Sequence, residues 1–222
     1  MGYNARMDDG TAPDRAFTAE DALAMDRWLE GERGFTIPQL MGQAGARLAD
    51  ATRELAAARG CERLVFLVGP GNNGGDALVA EEALRSAYAT TIWRPLQGDA
   101  APTLDAGTLV VDGLFGVGLQ RPIGGAAREA VEVVKASGAA VLSVDIPSGI
   151  SATTGEIVGV TDQDPDGGVA VRADATLTFV GPKRGFFVGA GPAHVGEWAA
   201  AEIGFPADDA WEWLAARRAR TG

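Results

Sequence analysis

Residues 64–81 read LVFLVGPGNNGGDALVAE, an apolar run of strand character that enters a glycine-rich turn and leaves it as an amphipathic helix. A strand, a tight glycine turn and a helix in that order commit the chain to a βα unit, and so to a sheet that a helix must cover. Glycines let the backbone turn sharply and let a diphosphate come close, while the N–H groups and dipole at the helix start favour negative charge. A polyphosphate ligand is therefore the first expectation. The Walker A pattern fails because no Lys-Ser or Lys-Thr pair follows the glycines. The dinucleotide spacing G-x-G-x-x-G is met by Gly69, Gly71 and Gly74, but the acidic residue expected about 20 positions later is missing. The next strand pattern, Thr90 to Arg94, ends in arginine, which either meets a 2′-phosphate or faces solvent, the latter being favoured. Asn72 and Asn73 distinguish this loop from an ordinary dinucleotide turn, since asparagine tolerates left-handed backbone and also offers an amide oxygen as a ligand.

With 222 residues the chain is long enough for one α/β domain over residues 17–222, preceded by a flexible segment over residues 1–16. A formal charge of −11 disfavours nucleic acid and anionic membrane surfaces, so an anionic ligand must be held by local N–H groups and a few selected cations. The single cysteine, Cys61, excludes an internal disulfide and reads as a small core residue. His194 is the only histidine, which rules out a multi-histidine metal site. The first ten residues lack an apolar core and carry acidic groups, and no apolar run approaches membrane-span length, so a cytoplasmic protein is expected.

A first helix is predicted over Thr18 to Glu32 and a second begins with a capping box of Thr36 and Gln39, with Pro38 in its first turn and Gly60 at its end. Both are read as packing elements. Strand patterns follow at 64–68, 90–93, 108–111, 139–144 and 175–180, with helices at 77–87 and 122–137, and a last strand at 194–203 precedes a helix at 208–218. Short apolar strands interleaved with helices predict a Rossmann-like, open, mostly parallel sheet with helices on both faces, a three-layer αβα fold. Trp211 and Trp213 are assigned to the core or a subunit contact, and residues 161–168, rich in Asp and Gly, to an exposed loop.

Ligands of open parallel sheets bind at the carboxyl ends of strands. Four such ends carry unusual residues: GPGNNGGD, then Asp112 with Gly116 to Pro122, then Asp145-Ile-Pro-Ser148-Gly149, then Gly181-Pro182-Lys183. Each alone is explicable as a cap, a turn or a solvated bend. Together they concentrate ionisable groups where this fold builds sites. Lys183 stands out further, because the chain has seventeen arginines and only two lysines, and the other, Lys135, lies in the last turn of a helix where the dipole accounts for it.

These ordered motifs, from Leu40-Met41 and Ala44-Gly45 through GPGNNGGD, VDGLFGVGLQRP, VDIPSGI and ADATLTFVGPKRG to GEWAAAEIGFP, resemble the NAD(P)H-hydrate epimerases of the YjeF N-terminal domain type. The chain departs from that pattern at Gly42-Gln43, usually Glu-Asn, at Ala77, usually glycine, and at Val117, commonly threonine. The resemblance implies a potassium ion held by Asn73, Asp112 and Ser148. It implies substrate contacts from Asn72, Asn73, Gly74, Gly75 and Asp76, from Gly116, Val117, Gly118, Leu119, Gln120, Arg121 and Pro122, and from Asp145. Arg121 is the evident cation for the phosphates. Asp145 and Lys183 become the acid/base pair, with their roles open, for interconversion of the R and S forms at C6 of hydrated NADH or NADPH (NADHX, NADPHX). A homodimer and a separate ADP- or ATP-dependent dehydratase partner are also implied. Two other readings stay open: a Rossmann oxidoreductase, which leaves Asn72-Asn73 and the DIPSG loop unexplained, and a non-catalytic binding module of the same fold.

Overall fold

A computed structural model describes residues 15–221. The segment 1–16 expected to be flexible lies outside them up to residue 14, whereas Ala16 is fully buried and its carbonyl accepts a hydrogen bond from Arg218 at 2.7 Å. Six strands, β1 (Arg63–Val68), β2 (Ala89–Trp93), β3 (Thr108–Gly113), β4 (Ala140–Val144), β5 (Ala175–Phe179) and β6 (Glu197–Ala201), form one sheet in the order β2-β1-β3-β4-β5-β6. Every pairing is parallel.

The period-2 alternation of the strands sorts the core into two layers. Leu64, Phe66, Leu109, Val111, Leu142 and Leu177 face one side, where they meet α1 (Ala19–Gly31), α2 (Ile37–Arg59), α3 (Asn72–Leu84) and α5 (Ala207–Thr221). Val65, Leu67, Val110 and Val141 face the other and pack on α4 (Gly125–Ser137). The three-layer α/β architecture is thus the one predicted, with a local exception. The connection from β4 to β5 contains no helix, and Val169, Val171 and Ala173 cover the sheet there instead.

The capping box of Thr36 and Gln39 forms as expected, and Gly60 ends α2 in the left-handed conformation at φ 66°, which a residue with a Cβ adopts only under strain. The predicted starts of two helices shift. α3 begins at Asn72 rather than near residue 77, and α4 at Gly125 rather than 122. The last strand contracts from 194–203 to Glu197–Ala201. Trp211 stacks at 5.1 Å on Phe17 and Trp213 at 5.8 Å on Trp28, so both tryptophans join α5 to the N-terminal region. Among the described residues no helix is long and apolar enough to cross a membrane.

The chain order reverses between β1 and β3, which lie side by side although β2 follows β1 in sequence. Loops leaving adjacent strands in opposite directions open a crevice beyond their carboxyl ends. All four motif-bearing loops emerge at that end of the sheet.

Candidate active site

The glycine loop does not work by the left-handed turn expected of it. None of Gly69, Gly71, Gly74 and Gly75 has a positive φ, and Asn72 and Asn73 lie in the first turn of α3. The glycines instead permit close approach. A Cβ at Gly69 would run into the Leu114 carbonyl, one at Gly74 into the Gly69 carbonyl, and one at Gly75 into the Met41 side chain. Gly71 alone of the four has open space beside it. It is also the N-cap of α3, makes no side-chain cap, and so leaves the first-turn N–H groups to a ligand. The Asn73 amide donates to the Val144 carbonyl at 2.6 Å, tying this helix start to the end of β4.

Behind the loop lies a sealed polar knot. Asp112, at the end of β3, is fully buried and accepts from Ser148 Oγ at 2.6 Å, Ser148 N at 2.9 Å, Ser143 Oγ at 2.9 Å and Leu114 N at 3.3 Å. Ser148 Oγ in turn accepts from the Phe115 N–H at 2.8 Å. Burial pushes the Asp112 carboxyl above the usual range, against the pull of those hydrogen bonds. Asp112 forms no ion pair among the described residues.

Asp145 and Lys183 meet at the ends of the adjacent strands β4 and β5. Lys183 Nζ donates to Asp145 Oδ1 at 2.5 Å, Thr178 Oγ1 at 2.8 Å, and the Phe179 and Gly181 carbonyls at 3.2 Å each. An ammonium has three protons, so four acceptors occupy it completely. Asp145 Oδ1 also accepts from Thr178 Oγ1 at 2.9 Å and Phe179 N at 3.2 Å, which leaves Oδ2 without a partner among the described residues. The side chains retain 4% and 13% exposure for Lys183 and Asp145, so the carboxylate is the member that opens toward the cleft.

Both residues are delivered by strained backbone. Asp145 has φ 65° and its flanking residues close a three-residue turn, Ile146 N to Val144 O at 2.7 Å. Val180 repeats the device one strand over, at φ 69° with Gly181 N to Phe179 O at 2.7 Å. Such γ-turns at positive φ are rare, and for β-branched valine the conformation is an outlier that costs on the order of 1–3 kcal/mol. In each loop a proline, Pro147 or Pro182, follows two residues later.

A cavity of about 700 Å³ joins these parts. Of the predicted contact residues, Asn72, Asn73, Asp76, Gly116, Val117, Gly118, Leu119, Gln120, Arg121 and Asp145 line it, as does Lys183. Gly74, Gly75 and Pro122 do not; Gly74 is turned to the Gly69 carbonyl and Pro122 lies beside Gly159. Asp112 and Ser148 sit outside the cavity wall, and Arg94 lies away from it beyond the edge strand β2. The wall that the sequence did not reveal is helical: Ala22, Leu23, Met25, Asp26 and Glu30 of α1, with Ile37, Leu40 and Met41 of α2. A usable signal was Asp26, an acidic residue set among Ala22, Met25 and Leu29 at helical spacing. Burial, with Asp145 adding repulsion, raises Asp26 to about 6, and burial together with Asp145 and Asp26 raises Asp76 to about 8.

An open parallel sheet with a helix N-terminus and an ionisable pair gathered at its switch point defines a doubly wound α/β protein with a cleft beyond its strand ends. Comparison with known proteins narrows this. The chain belongs to the family described as YjeF-related protein N-terminus, whose model matches residues 38–96 and 90–185. It is 39% identical over 186 residues to an NAD(P)H-hydrate epimerase of Bordetella bronchiseptica, covering 73% of this chain and 76% of that protein. An NAD(P)H-hydrate epimerase of Limosilactobacillus fermentum is 31% identical, with 82% and 94% covered. The bifunctional NAD(P)H-hydrate repair enzyme Nnr of Gloeobacter violaceus is 37% identical over 78% of this chain, which spans 37% of that longer protein. The crystal structure of yeast ynu0, YNL200c, shares the fold, with a TM-score of 0.58, 20% identity, and 86% and 89% of the two chains covered.

Proposed function

We propose that this chain is an NAD(P)H-hydrate epimerase that interconverts the R and S forms of NADHX and NADPHX at C6. Relatives of that name over most of the chain support the reading, and the observation that carries it is Asp145 Oδ2, an unpartnered carboxylate oxygen held at the cleft by Lys183. In the proposed reaction the C6–O bond breaks with its electron pair leaving on oxygen, which takes a proton from the protein. The N1 lone pair then forms a double bond to C6, giving a planar cation. Water adds to the opposite face, its proton passes to the protein, and the electrons return to N1. No net oxidation occurs.

The Asp145–Lys183 pair divides its work unequally in this proposal. Asp145 exchanges the proton with the substrate, and Lys183, fully occupied by four acceptors, fixes and charges the carboxylate. The start of α3 at Gly71 to Asn73 and the exposed Arg121 receive the diphosphate, and Gly116 to Gln120 contact the nucleotide. Gly74 and Gly75 serve the site through their close packing against the Gly69 carbonyl and the Met41 side chain.

A potassium ion at Asn73, Asp112 and Ser148 belongs to the same proposal. The donor set fits: an amide oxygen, a hydroxyl, and one sealed carboxylate that makes no ion pair among the described residues. Oxygen donors with a single negative charge suit a monovalent cation. Bound there, the ion would supply a positive charge beside the buried Asp112 carboxyl and would brace the Phe115 and Ser148 loops. The bifunctional relatives support a paired dehydratase activity, here a separate ADP- or ATP-dependent enzyme. A homodimer and a cytoplasmic setting complete the proposal.

The test is conversion of purified R-NADHX by this protein in the presence of a dehydratase that accepts only the S form. Complete consumption is expected; consumption that stalls at the S fraction initially present would overturn the proposal.

A further inference from the structure

The epimerisation proposed above needs two proton exchanges, one on each face of the nicotinamide ring, and the strand ends supply a free acceptor for one. Asp145 Oδ2 is that group, because Lys183 is spent on four acceptors. The second group must come from another wall of the cleft. α1 provides that wall, where two acidic residues, Asp26 and the exposed Glu30, line the cleft beside Ala22, Leu23 and Met25, and the more buried of the two is the candidate. That residue, Asp26, is half-buried and makes neither a hydrogen bond nor an ion pair with any described residue. A carboxylate without a partner in an apolar stripe has no packing role to account for it.

The position of α1 over the reacting pair is fixed at its N-terminal end. Phe17 N donates to the Pro182 carbonyl and Arg184 N to the Phe17 carbonyl, each at 2.8 Å, so the chain entering α1 is stitched to both flanks of Lys183. Thr18 and Asp21 close a capping box, Ala19 N donates to Thr153 Oγ1 at 3.0 Å, and Arg217 and Arg218 of α5 hold Asp21 at 3.3 and 3.1 Å. A site group carried on so well-anchored an element is held in place rather than swept in by a loop.

We propose that Asp26 is a second catalytic residue, the acid/base that exchanges a proton with the C6 oxygen on the ring face turned toward α1. This inference rests on the epimerase reading. In one direction Asp26 gives its proton to the departing hydroxyl while Asp145 accepts the proton of the incoming water; in the other direction the roles exchange. Two carboxyls related in this way make the enzyme competent for both epimers. The groups that act on Asp26 are Asp145 and Lys183 from the strand ends, Asp76 from α3, and Arg27 and Glu30 on its own helix, while Arg121 from the loop after β3 lines the same cavity. Their sum, led by burial and Asp145, holds Asp26 at about 6, where a group both gives and takes protons near neutrality. Asp76, a further carboxyl of the cavity wall without a hydrogen-bond or ion-pair partner among the described residues, is raised to about 8 and reads as a hydrogen-bond donor to the substrate.

The test uses the full chain and pure R-NADPHX, with Asp26→Asn, Asp26→Ser and the wild type assayed from pH 5 to 9. Burial already disfavours the charged form of Asp26, so removing that charge does not destabilise the protein; both variants are expected to fold, as circular dichroism verifies. The expected result is a fall in kcat of about a hundredfold or more with KM unchanged, and loss of the limb near pH 6 from the kcat/KM profile. A folded Asp26→Asn or Asp26→Ser variant with near wild-type kcat overturns the role of Asp26 while leaving the epimerase reading intact. A variant slowed with its pH profile unaltered does the same, since a merely structural residue would behave so. A wild type that does not epimerise R-NADPHX at all overturns the epimerase reading and this inference with it.

Discussion

Replacing Asp145 by Asn should destabilise the protein more than replacing Lys183 by Met, and doing both should cost much less than the sum. The pair is in contact at 2.5 Å with side-chain exposures of 13% and 4%. Breaking a buried pair by removing one partner costs roughly 3–5 kcal/mol, because the remaining charge is left uncompensated. Asp145→Asn strands the ammonium in the more sealed position, although Thr178 Oγ1 and two carbonyls still accept from it. Its cost should therefore be about 3 kcal/mol, the lower end of that range. Lys183→Met leaves a carboxylate that keeps the Thr178 hydroxyl and the Phe179 N–H and hydrates through the cleft, so its cost should be smaller still. Backbone strain does not confound the comparison, since asparagine tolerates the φ of 65° at position 145 about as well as aspartate does. The double variant leaves no charge unpaired, and the coupling should reach about 2–3 kcal/mol. Urea unfolding followed by tryptophan fluorescence and circular dichroism measures all four corners of the cycle. Additive costs would refute the claim that these two residues form one buried, mutually dependent unit, and with it the view that Lys183 acts by holding Asp145.

Much of this site was legible because it sits where strand patterns end. Asp112, Asp145 and Lys183 follow apolar runs that cannot be mistaken for anything but buried parallel strands, and topology alone brings such ends together. The helix start at Asn72 was hidden because Asn-Asn-Gly-Gly is a poor helix former and reads as a turn. Tertiary packing of Gly69, Gly74 and Gly75 against backbone and Met41 overrides that propensity. The γ-turns at Asp145 and Val180 were equally invisible, since neither position carries the glycine that positive φ favours. The cleft-lining face of α1 escaped because hydrophobic periodicity says which side of a helix is apolar and not what lies against it.

Three other perturbations have defined outcomes. Asp76 is raised to about 8 from an ordinary 3.8, so the folded protein holds a proton that the unfolded chain releases. The resulting stabilisation is complete below the unfolded value and is lost as pH rises through the folded one. Asp76→Asn should therefore be more stable than wild type at pH 9 by a few kcal/mol, at about 1.4 kcal/mol for each tenfold difference in proton affinity, and nearly equal to it at pH 4; a pH-independent difference in urea midpoints would contradict this. Gly74→Ala should lose stability by roughly 1–3 kcal/mol through overpacking, because its Cβ meets the Gly69 carbonyl; a fully stable variant in thermal unfolding would show that the two loop segments do not pack as described. A crystal grown in potassium should show cation density bounded by Asn73, Asp112 and Ser148, whereas an ordered water or a magnesium ion with octahedral waters there would remove potassium from the account.

The central claim, loss and return of water at C6 within this cleft, is tested most directly by starting separately from pure R-NADPHX and pure S-NADPHX in water enriched in oxygen-18. The account predicts that the protein brings both to the same R:S ratio faster than buffer alone, and that each inverted molecule carries a solvent oxygen at C6. Inversion with the original oxygen retained, or no enzyme-dependent approach to a common ratio, would contradict it.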